Sequence, residues 1–412
     1  MTSSISLDLP SECSIFSSIS SRVETIEAWA KQNPLYATVT AVAFVALGIT
    51  AQYAIISIVV TVSYAVIAGL ASLVCFAACG TLGYFLVKHV LSVVQSQGKI
   101  EDIQGSPPNI ALSDVSAQTN YRVQVMNETL NHLKQGHYTS PDGTNHVLDL
   151  THAIQGAEIC PSAGTVEQRP GYEPTRIVVK DRDCLYAAAE LNAKGLNPIV
   201  LDMASDDHFG GGYLTGALAQ EEDCSRRSGL CIAADTQHGM QSTNFYPLSG
   251  NSQSAGLYVP RVPVFRADYD KGYQYLNQPF EVAYGVIAAH CRPHLDNSSG
   301  SPRLHNAEAT ATREKIRTFF EMARLKGHQS VVFGALGCGA FQNPPDHIAE
   351  ITMEVINNEF AHCFKEIVIA VIDDHNTGNA HNPEGNFKPF ARCALAVGGT
   401  AFDADGQELT SV

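Results

Sequence analysis

Three consecutive glycines that follow an apolar run constrain the fold of this 412-residue chain more than any other feature. The run at 198–201 is Pro-Ile-Val-Leu, which is typical of a buried strand, and the glycines stand at 210–212. Because glycine lacks a Cβ atom, these residues can adopt backbone angles closed to others and bring bare amides to a ligand. Successive inward amides bind an anion, and a helix that begins just after them adds its positive end. The pattern therefore predicts a phosphate-binding loop.

Paired carboxylates stand close to this loop in the sequence. Gln220, Glu221 and Glu222 follow the last glycine after seven residues, about two helical turns. Glycoside cleavage passes through an oxocarbenium-like transition state and needs an acid for the leaving oxygen and a base for water. A phosphate loop beside two carboxylates therefore indicates glycosidic chemistry on a nucleotide-sugar. An ordinary solvated or capping pair of glutamates is the alternative.

The complete spaced pattern of three glycines, seven residues and Gln-Glu-Glu resembles the signature of poly(ADP-ribose) glycohydrolases, particularly the microbial type. Segments at 222–228, 258–266 and 331–343 are similar to segments of the same family and occur in the same order. The resemblance spans about residues 118–393. It implies a macrodomain-like α/β domain, a three-layer α/β/α sandwich with a mixed sheet.

The resemblance also assigns roles to individual residues. Glu222 would be the acid that protonates the leaving 2′-oxygen of a ribose–ribose bond and then activates water, and burial beside a diphosphate would keep it protonated at the start. Glu221 would hydrogen-bond a ribose hydroxyl, and Phe341 would pack on the terminal ribose. The implied substrate-binding residues are Asp202, Gly210, Gly211, Gly212, Gln220, Gly337, Cys338, Gly339, Ala340 and Phe341.

Several of these residues have a structural alternative. Phe341 could belong to the core, and the glycines of the second loop could be plain turn residues. For Arg226 and Arg227, the carboxylate-rich surroundings favour a structural ion pair over a substrate contact. Cys338 is not expected to be a nucleophile, because no histidine base is evident for it.

Three positions depart from the pattern of the microbial enzymes. Asp202 stands where many microbial members have Asn, Phe209 replaces the proline that usually precedes the glycines, and Leu336 replaces a tryptophan of the second loop. None of these changes removes a catalytic group. They therefore bear on adenine-ribose recognition and turnover rate more than on the reaction class.

Composition excludes several kinds of partner. The formal net charge of −15 argues against a general electrostatic grip on nucleic acid, so no direct nucleic-acid binding is expected. Eleven cysteines without CxxC pairs or Cys/His clusters at metal spacing indicate reduced thiols and no metal site. No cofactor is expected. The two negative charges of an ADP-ribose ligand can still be bound locally by backbone amides.

The first third of the chain has a different composition. Residues 32–87 form a stretch of 56 residues without Asp, Glu, Lys, Arg or His, and most of them are apolar. One bilayer crossing takes about 20 apolar residues, so the stretch predicts two transmembrane helices at 36–87. Basic residues on both flanks place both ends on the cytosolic side. A buried helical hairpin in a soluble protein is the alternative.

The two apolar lobes behind a serine-rich leader resemble chlamydial inclusion-membrane proteins in layout and composition. The resemblance implies an integral membrane protein, secreted as a bacterial effector into a host inclusion or vacuole membrane, with its catalytic domain facing a cytosol. The predicted organisation is a polar leader at 1–35, transmembrane helices at 36–87, a linker at 88–117, the catalytic domain at 118–393 and a tail at 394–412.

Within the catalytic domain, helices and strands alternate. Continuous apolar runs are typical of strands covered on both faces, and the alternation predicts a layered α/β domain with a parallel or mixed sheet. The tail is expected to fray. Strands are predicted at 147–150, 176–179, 198–203, 256–259, 282–288, 330–333 and 366–372, and helices at 121–134, 183–194, 307–326 and 345–360.

The leading hypothesis is a membrane-anchored hydrolase that cleaves ribose–ribose bonds of poly(ADP-ribose) and releases ADP-ribose. Its partners would be the polymer or an ADP-ribosylated protein, and a membrane bound through residues 36–87. A non-catalytic ADP-ribose reader, a mono-ADP-ribosyl hydrolase and a membrane scaffold are the alternatives. The presence of both Glu221 and Glu222 favours an enzyme, because binding alone needs only the loops.

Overall fold

The computed structural model describes residues 114–163, 171, 173–298, 300–374 and 382–412. The predicted leader, the transmembrane helices at 36–87 and most of the linker lie outside the described residues, so they stay predictions. In the part of the chain that is described, no helix is long and apolar enough to cross a bilayer.

The described residues form eight α-helices and thirteen strands. The helices are α1 Val115–Gln135, α2 Thr151–Gln155, α3 Cys184–Ala193, α4 Gln220–Arg227, α5 Leu230–Ala234, α6 Asn306–Leu325, α7 Pro345–Glu359 and α8 Phe387–Ala396. The strands are β1 His137–Thr139, β2 Asn145–Val147, β3 Glu158–Cys160, β4 Arg176–Lys180, β5 Pro198–Ala204, β6 Gly256–Arg266, β7 Tyr275–Ala288, β8 Leu295–Asp296, β9 Arg303–Leu304, β10 Ser330–Phe333, β11 Glu366–Ala370, β12 Thr400–Phe402 and β13 Glu408–Leu409.

Nine of these strands form one mixed sheet in the order β13-β12-β4-β11-β10-β5-β7-β6-β3. The six strands from β12 to β7 run parallel, and the three remaining strands pair antiparallel at the two edges. Every residue of β10 and β11 is buried, as the continuous apolar runs predict for strands covered on both faces. The predicted α/β domain with a mixed sheet is confirmed.

Hydrophobic clusters cover both faces of the sheet. Strand residues alternate between the faces, so Val200 of β5 joins one cluster while Ile199 and Leu201 join the other. The first cluster includes apolar residues of α1, α3, α4 and α5, and the second includes those of α6, α7 and α8. Helices therefore cover the sheet on its two sides.

The C-terminal tail differs from its prediction. Residues Thr400–Phe402 pair in parallel with β4 and extend the main sheet, and Ala401 is fully buried. The fraying expected after residue 394 is therefore wrong. The physical reason is that the outer edge of β4 would otherwise leave apolar side chains and ladder hydrogen bonds open to water. The predicted strand at 147–150 is also displaced, because Asn145–Val147 pairs only with β1, outside the main sheet.

The parallel strands bring the predicted site residues to one edge of the sheet. Strands β5 and β10 are direct neighbours, and each is followed by one of the two glycine-containing loops. Strand β7, on the other side of β5, ends at the same edge. Because ligands of open α/β sheets bind beyond the carboxyl ends of the strands, this edge is where a site is expected.

Candidate active site

The first glycine loop, at 210–212, takes a backbone path that requires glycine. Gly210 and Gly211 have φ angles of +78° and +51°, in the left-handed region. A Cβ atom on Gly211 would lie 2.6 Å from Oε1 of Glu222. The absence of side chains therefore lets a carboxylate approach the loop backbone closely.

Both glutamates of the Gln-Glu-Glu motif accept hydrogen bonds from loop amides. Glu221 accepts from the amides of Ser205 at 2.9 Å and Gly210 at 2.8 Å, and Glu222 accepts from the amide of Gly212 at 2.9 Å. The two lie in the first turn of α4, where the positive helix end stabilises negative charge. Two of the three glycine amides are thus engaged by carboxylates. The loop differs here from the bare anion nest that the sequence suggests, and its contact with substrate stays a prediction.

One carboxyl oxygen of Glu222 is buried without a hydrogen-bond partner among the described residues. This oxygen is Oε2, and the side chain that carries it is 7 % exposed. Because buried polar atoms in folded proteins are nearly always bonded, an orphan oxygen at this position indicates a ligand contact. The second oxygen, bonded to Gly212, fixes the direction in which Oε2 points.

Asp202 lies behind the glutamates on β5. It is fully buried, and neither carboxyl oxygen has a hydrogen-bond partner in the described ranges. Burial, followed by the nearby Glu222 and Cys184, raises the pKa of Asp202 well above its usual range. Burial and the charge of Asp202 also raise the pKa of Glu221. Asp202 and Glu221 therefore share a water-poor space, which favours their protonated forms.

Gln220 connects α4 to the strand beneath it. Its Oε1 accepts from the amide of Met203 at 2.9 Å, and its Nε2 donates to the carbonyl of Leu201 at 2.7 Å. The side chain thus pairs with β5 much as a neighbouring strand would. These bonds set the position of the helix that carries both glutamates. The substrate contact that the sequence predicts for Gln220 stays a prediction.

The two arginines at the end of α4 are structural. Arg227 bonds both carboxylate oxygens of Asp183 at 2.8 and 3.0 Å and also Asp223 at 2.8 Å. Arg226 donates to the carbonyl of Ala217 at 2.9 Å, and both arginines are 0 % exposed. A buried arginine needs such partners, because an unpaired buried charge is strongly destabilising. The structural alternative for these residues is confirmed.

The second loop, at 334–343, offers free backbone amides. The amides of residues 339–341 make no hydrogen bond within the described parts of the chain. Asn343 holds the loop, because its Nδ2 donates to the carbonyls of His290 at 2.7 Å and Gly337 at 3.1 Å. Consecutive free amides are suited to an anion such as a phosphate group. Across the described residues, no group of three or more His, Cys, Asp or Glu side chains is placed to hold a metal ion.

Two side chains of this loop have different environments. Cys338 is fully buried, with Sγ 3.8 Å from the carbonyl of Leu336, and burial raises the pKa of its thiol. A buried thiol of this kind is inert, which agrees with the expectation that it is not a nucleophile. Phe341 is partly exposed and belongs to neither hydrophobic cluster, so the alternative of a core aromatic is wrong.

Tyr246 is a candidate that the sequence did not reveal. Its hydroxyl is buried without a partner among the residues described, and its ring lies 6.0 Å from that of Phe209, next to the glycine loop. Burial, then the charges of Glu221 and Asp202, raise the pKa of the hydroxyl well above its usual range. Tyr246 therefore presents a protonated donor close to the carboxyl cluster. No motif surrounds it, so only the fold shows this proximity.

Replacing Asp202 by Asn is expected to raise the thermal stability at pH 7. The folded-state pKa of Asp202 lies above the unfolded value of about 3.9, so above pH 4 the unfolded chain loses a proton that the folded state retains. The wild-type protein therefore has its full stability below the pKa that Asp202 has in the unfolded chain. Its stability falls as the pH rises towards the pKa that Asp202 has in the folded state. The neutral asparagine side chain of the variant lacks this dependence. Each 1 kcal/mol of unfolding free energy that the variant regains in this way should raise Tm by roughly 2–4 °C.

The measurement is thermal unfolding of the full chain, followed by circular dichroism from pH 4 to pH 7. The Tm difference between Asp202→Asn and wild type should be close to zero at pH 4 and grow with pH. Asp405→Asn, at an exposed position, is the matched control and should show no such trend. A wild type more stable than Asp202→Asn at pH 7 would contradict the protonated state.

Comparisons with known proteins show which enzymes this domain is similar to. Residues 126–267 match the family described as microbial-type PARG, catalytic domain, where PARG is poly(ADP-ribose) glycohydrolase. The chain is similar to the crystal structure of poly(ADP-ribose) glycohydrolase from Thermomonospora curvata, with 29% identity and a TM-score of 0.55 over 66% of this chain and 99% of that chain. For the same bacterial enzyme bound to the inhibitor ADP-HPD, the identity and both coverages are the same and the TM-score is 0.52. No curated protein matches the chain. The predicted microbial-type poly(ADP-ribose) glycohydrolase domain, and with it the predicted enzyme class, is confirmed.

Proposed function

We propose that the domain predicted at 118–393, together with the tail strands that extend its sheet, hydrolyses ribose–ribose O-glycosidic bonds of poly(ADP-ribose) and releases ADP-ribose. The observation that carries the proposal is the buried, unbonded Oε2 of Glu222 beside the glycine loop. The similar Thermomonospora enzyme is bound to ADP-HPD in one of its structures, which supports an ADP-ribose-like ligand for this fold.

Substrate would be held by backbone groups more than by charged side chains. The free amides at 339–341 bind the diphosphate, and the partly exposed Phe341 packs on the terminal ribose. The first loop and Glu221 lie on the other side of the sugar, where Glu221 meets a ribose hydroxyl. Amide donors can bind the diphosphate locally although the net charge of the protein is −15.

Glu222 acts as the general acid and then as the general base. Oε2 gives its proton to the 2′-oxygen as the bond between this oxygen and the anomeric carbon breaks. The resulting carboxylate then takes a proton from water, whose oxygen bonds to the anomeric carbon. The hydrogen bond from Gly212 holds Oε1 throughout, so only Oε2 moves a proton.

Replacing Glu222 by Gln should strongly reduce hydrolysis and leave the fold intact. Glutamine keeps an oxygen that can accept from Gly212 but cannot exchange a proton, so kcat should fall about 10²–10⁴-fold. The measurement is release of ADP-ribose from automodified polymerase by the full chain, with binding of ADP-ribose by calorimetry as the control for the site. Hydrolysis by Glu222→Gln at the wild-type rate would refute the assigned role.

The same assay separates the alternatives. A wild type that binds ADP-ribose but releases none is a reader, and one that does not bind it is a scaffold. A wild type that acts on mono-ADP-ribosylated protein but not on the polymer is a mono-ADP-ribosyl hydrolase.

Replacing Gly211 by Ala should reduce activity far more than stability. The new Cβ would lie 2.6 Å from Oε1 of Glu222, and the flexible carboxylate would move away from its catalytic position. A displacement of this size can lower kcat/KM by about 10²-fold. Gly195→Ala is the matched control, because Gly195 has a φ of +71° and open space around its Cβ position.

Both variants should lose roughly 1 kcal/mol of unfolding free energy from the left-handed backbone. Only Gly211→Ala should also lose activity against the polymer. Equal activities of the two variants would show that the close approach of Glu222 to the loop is not needed for catalysis.

We also propose that residues 36–87 anchor the protein in a membrane as two helices, with the catalytic domain facing a cytosol. The length of the uncharged stretch supports this anchor. The leader and the two lobes support an effector secreted into a host inclusion or vacuole membrane. After alkaline carbonate washing, the full chain should stay with membranes, whereas a variant without 36–87 should be released. A full chain that carbonate releases has no such anchor.

A further inference from the structure

Two cysteines from different helices meet next to the candidate site. Cys184 is the first residue of α3 and Cys224 lies two residues after Glu222 on α4, and their Sγ atoms are 4.0 Å apart. Within the described ranges, no other two cysteine sulfurs make such a contact, and all the cysteines there are free thiols. Cys224 is buried, whereas Cys184 is partly exposed.

This sulfur pair is connected to the site through Gln220. The Nε2 of Gln220, which also bonds the carbonyl of Leu201, lies 3.5 Å from the Sγ of Cys184. The residue before Cys184 is Asp183, which holds Arg227 at the far end of α4. The start of α3 therefore contacts the helix that carries Glu222 at several points, so a change at the sulfurs reaches that helix directly.

We propose that Cys184 and Cys224 form an oxidative modification site, in which a peroxide converts the two thiols to a disulfide that reversibly inhibits the hydrolysis proposed above. The inhibition rests on that proposed function; the formation of the disulfide does not.

The chemistry follows from the different exposure of the two sulfurs. The thiolate of Cys184 attacks a peroxide oxygen, the O–O bond breaks, and sulfenic acid forms with release of hydroxide or alkoxide. The sulfur of Cys224 then attacks the Cys184 sulfur, the S–S bond forms, and water leaves with the thiol proton. The hydrogen bond with Cys184, followed by burial, raises the pKa of Cys224, so the partly exposed Cys184 is the thiol that reacts with the peroxide first. Two thiols are oxidised and one peroxide is reduced.

Disulfide formation requires a movement of the sulfur atoms that would also shift the candidate active site. A disulfide bond is about 2.05 Å long, so the sulfurs must approach by about 2 Å. Part of this movement falls on α4, which carries Glu222, and part on the contact between Cys184 and Gln220. A shift of about 1 Å at a catalytic group can lower the rate by about 10²-fold.

The test treats the full chain with hydrogen peroxide and measures disulfides by peptide mass spectrometry and hydrolysis of the polymer in parallel. We expect a peptide that joins Cys184 to Cys224, a loss of activity of at least about tenfold, and its recovery with dithiothreitol. Activity with and without peroxide is compared within each variant. In Cys184→Ala and Cys224→Ala, the ratio of the activity after peroxide to the activity without peroxide should stay near one. Cys363→Ala, a partly exposed cysteine outside the site, should behave as wild type.

The mass spectra and the activity measurements can each overturn a different part of the proposal. Absence of the Cys184–Cys224 peptide, or further oxidation of Cys184 while Cys224 remains a thiol, overturns the modification site whatever the activity. A disulfide that forms without loss of activity overturns the inhibition. If the untreated wild type does not hydrolyse the polymer, the proposed function fails, and the mass spectra still decide whether the modification site exists.

Discussion

The rest of the site depends on the hydrogen bonds that backbone amides in and before the glycine loop donate to the two glutamates of α4. Glu221 accepts from Gly210 at the start of the loop and from Ser205, which lies before the loop, and Glu222 accepts from Gly212 at the end of the loop. Without these hydrogen bonds, a glycine-rich loop would have the largest conformational freedom in the domain. The carboxylates therefore order the loop, and the loop in turn fixes which carboxyl oxygen remains free.

This arrangement places acidic groups where the proposed ligand is also negatively charged. Burial reduces the repulsion between them, because it favours the neutral forms of the acidic groups. Burial raises the pKa of Asp202 and of Glu221, and each of them also lies near a second acidic side chain. Protonation of these groups would reduce the charge that a diphosphate meets. The amides at 339–341 supply the complementary partial positive charge from the neighbouring loop. In the proposed site these amides would take the role that charged side chains often have, because the buried Arg226 and Arg227 are engaged in stabilising α4.

Much of the fold could be predicted from the sequence, because its strands are continuous apolar runs and its helices have regular apolar periodicity. The strand at 330–333 matches β10 residue for residue, and helix α7 at Pro345–Glu359 differs from its prediction by one position. The strand in the tail was harder to predict, because Thr400–Phe402 is too short to show an apolar pattern. It forms a strand because the edge of β4 is open to pair with it. The adjacency of the two glycine loops follows from the parallel pairing of β5 and β10, so that part of the site was also predictable.

What the sequence could not show are contacts between segments that no motif joins. Tyr246 reaches the carboxyl cluster from a loop 24 residues beyond Glu222, and Cys184 meets Cys224 across 40 residues. Composition indicated reduced thiols, which agrees with the free cysteines of the described residues, but it could not indicate which of them touch. Gln220 shows the same limit, since the motif does not reveal that its side chain pairs with β5. Because that pairing sets where α4 begins, any ligand or modification that competes for the Gln220 side chain would also displace Glu222.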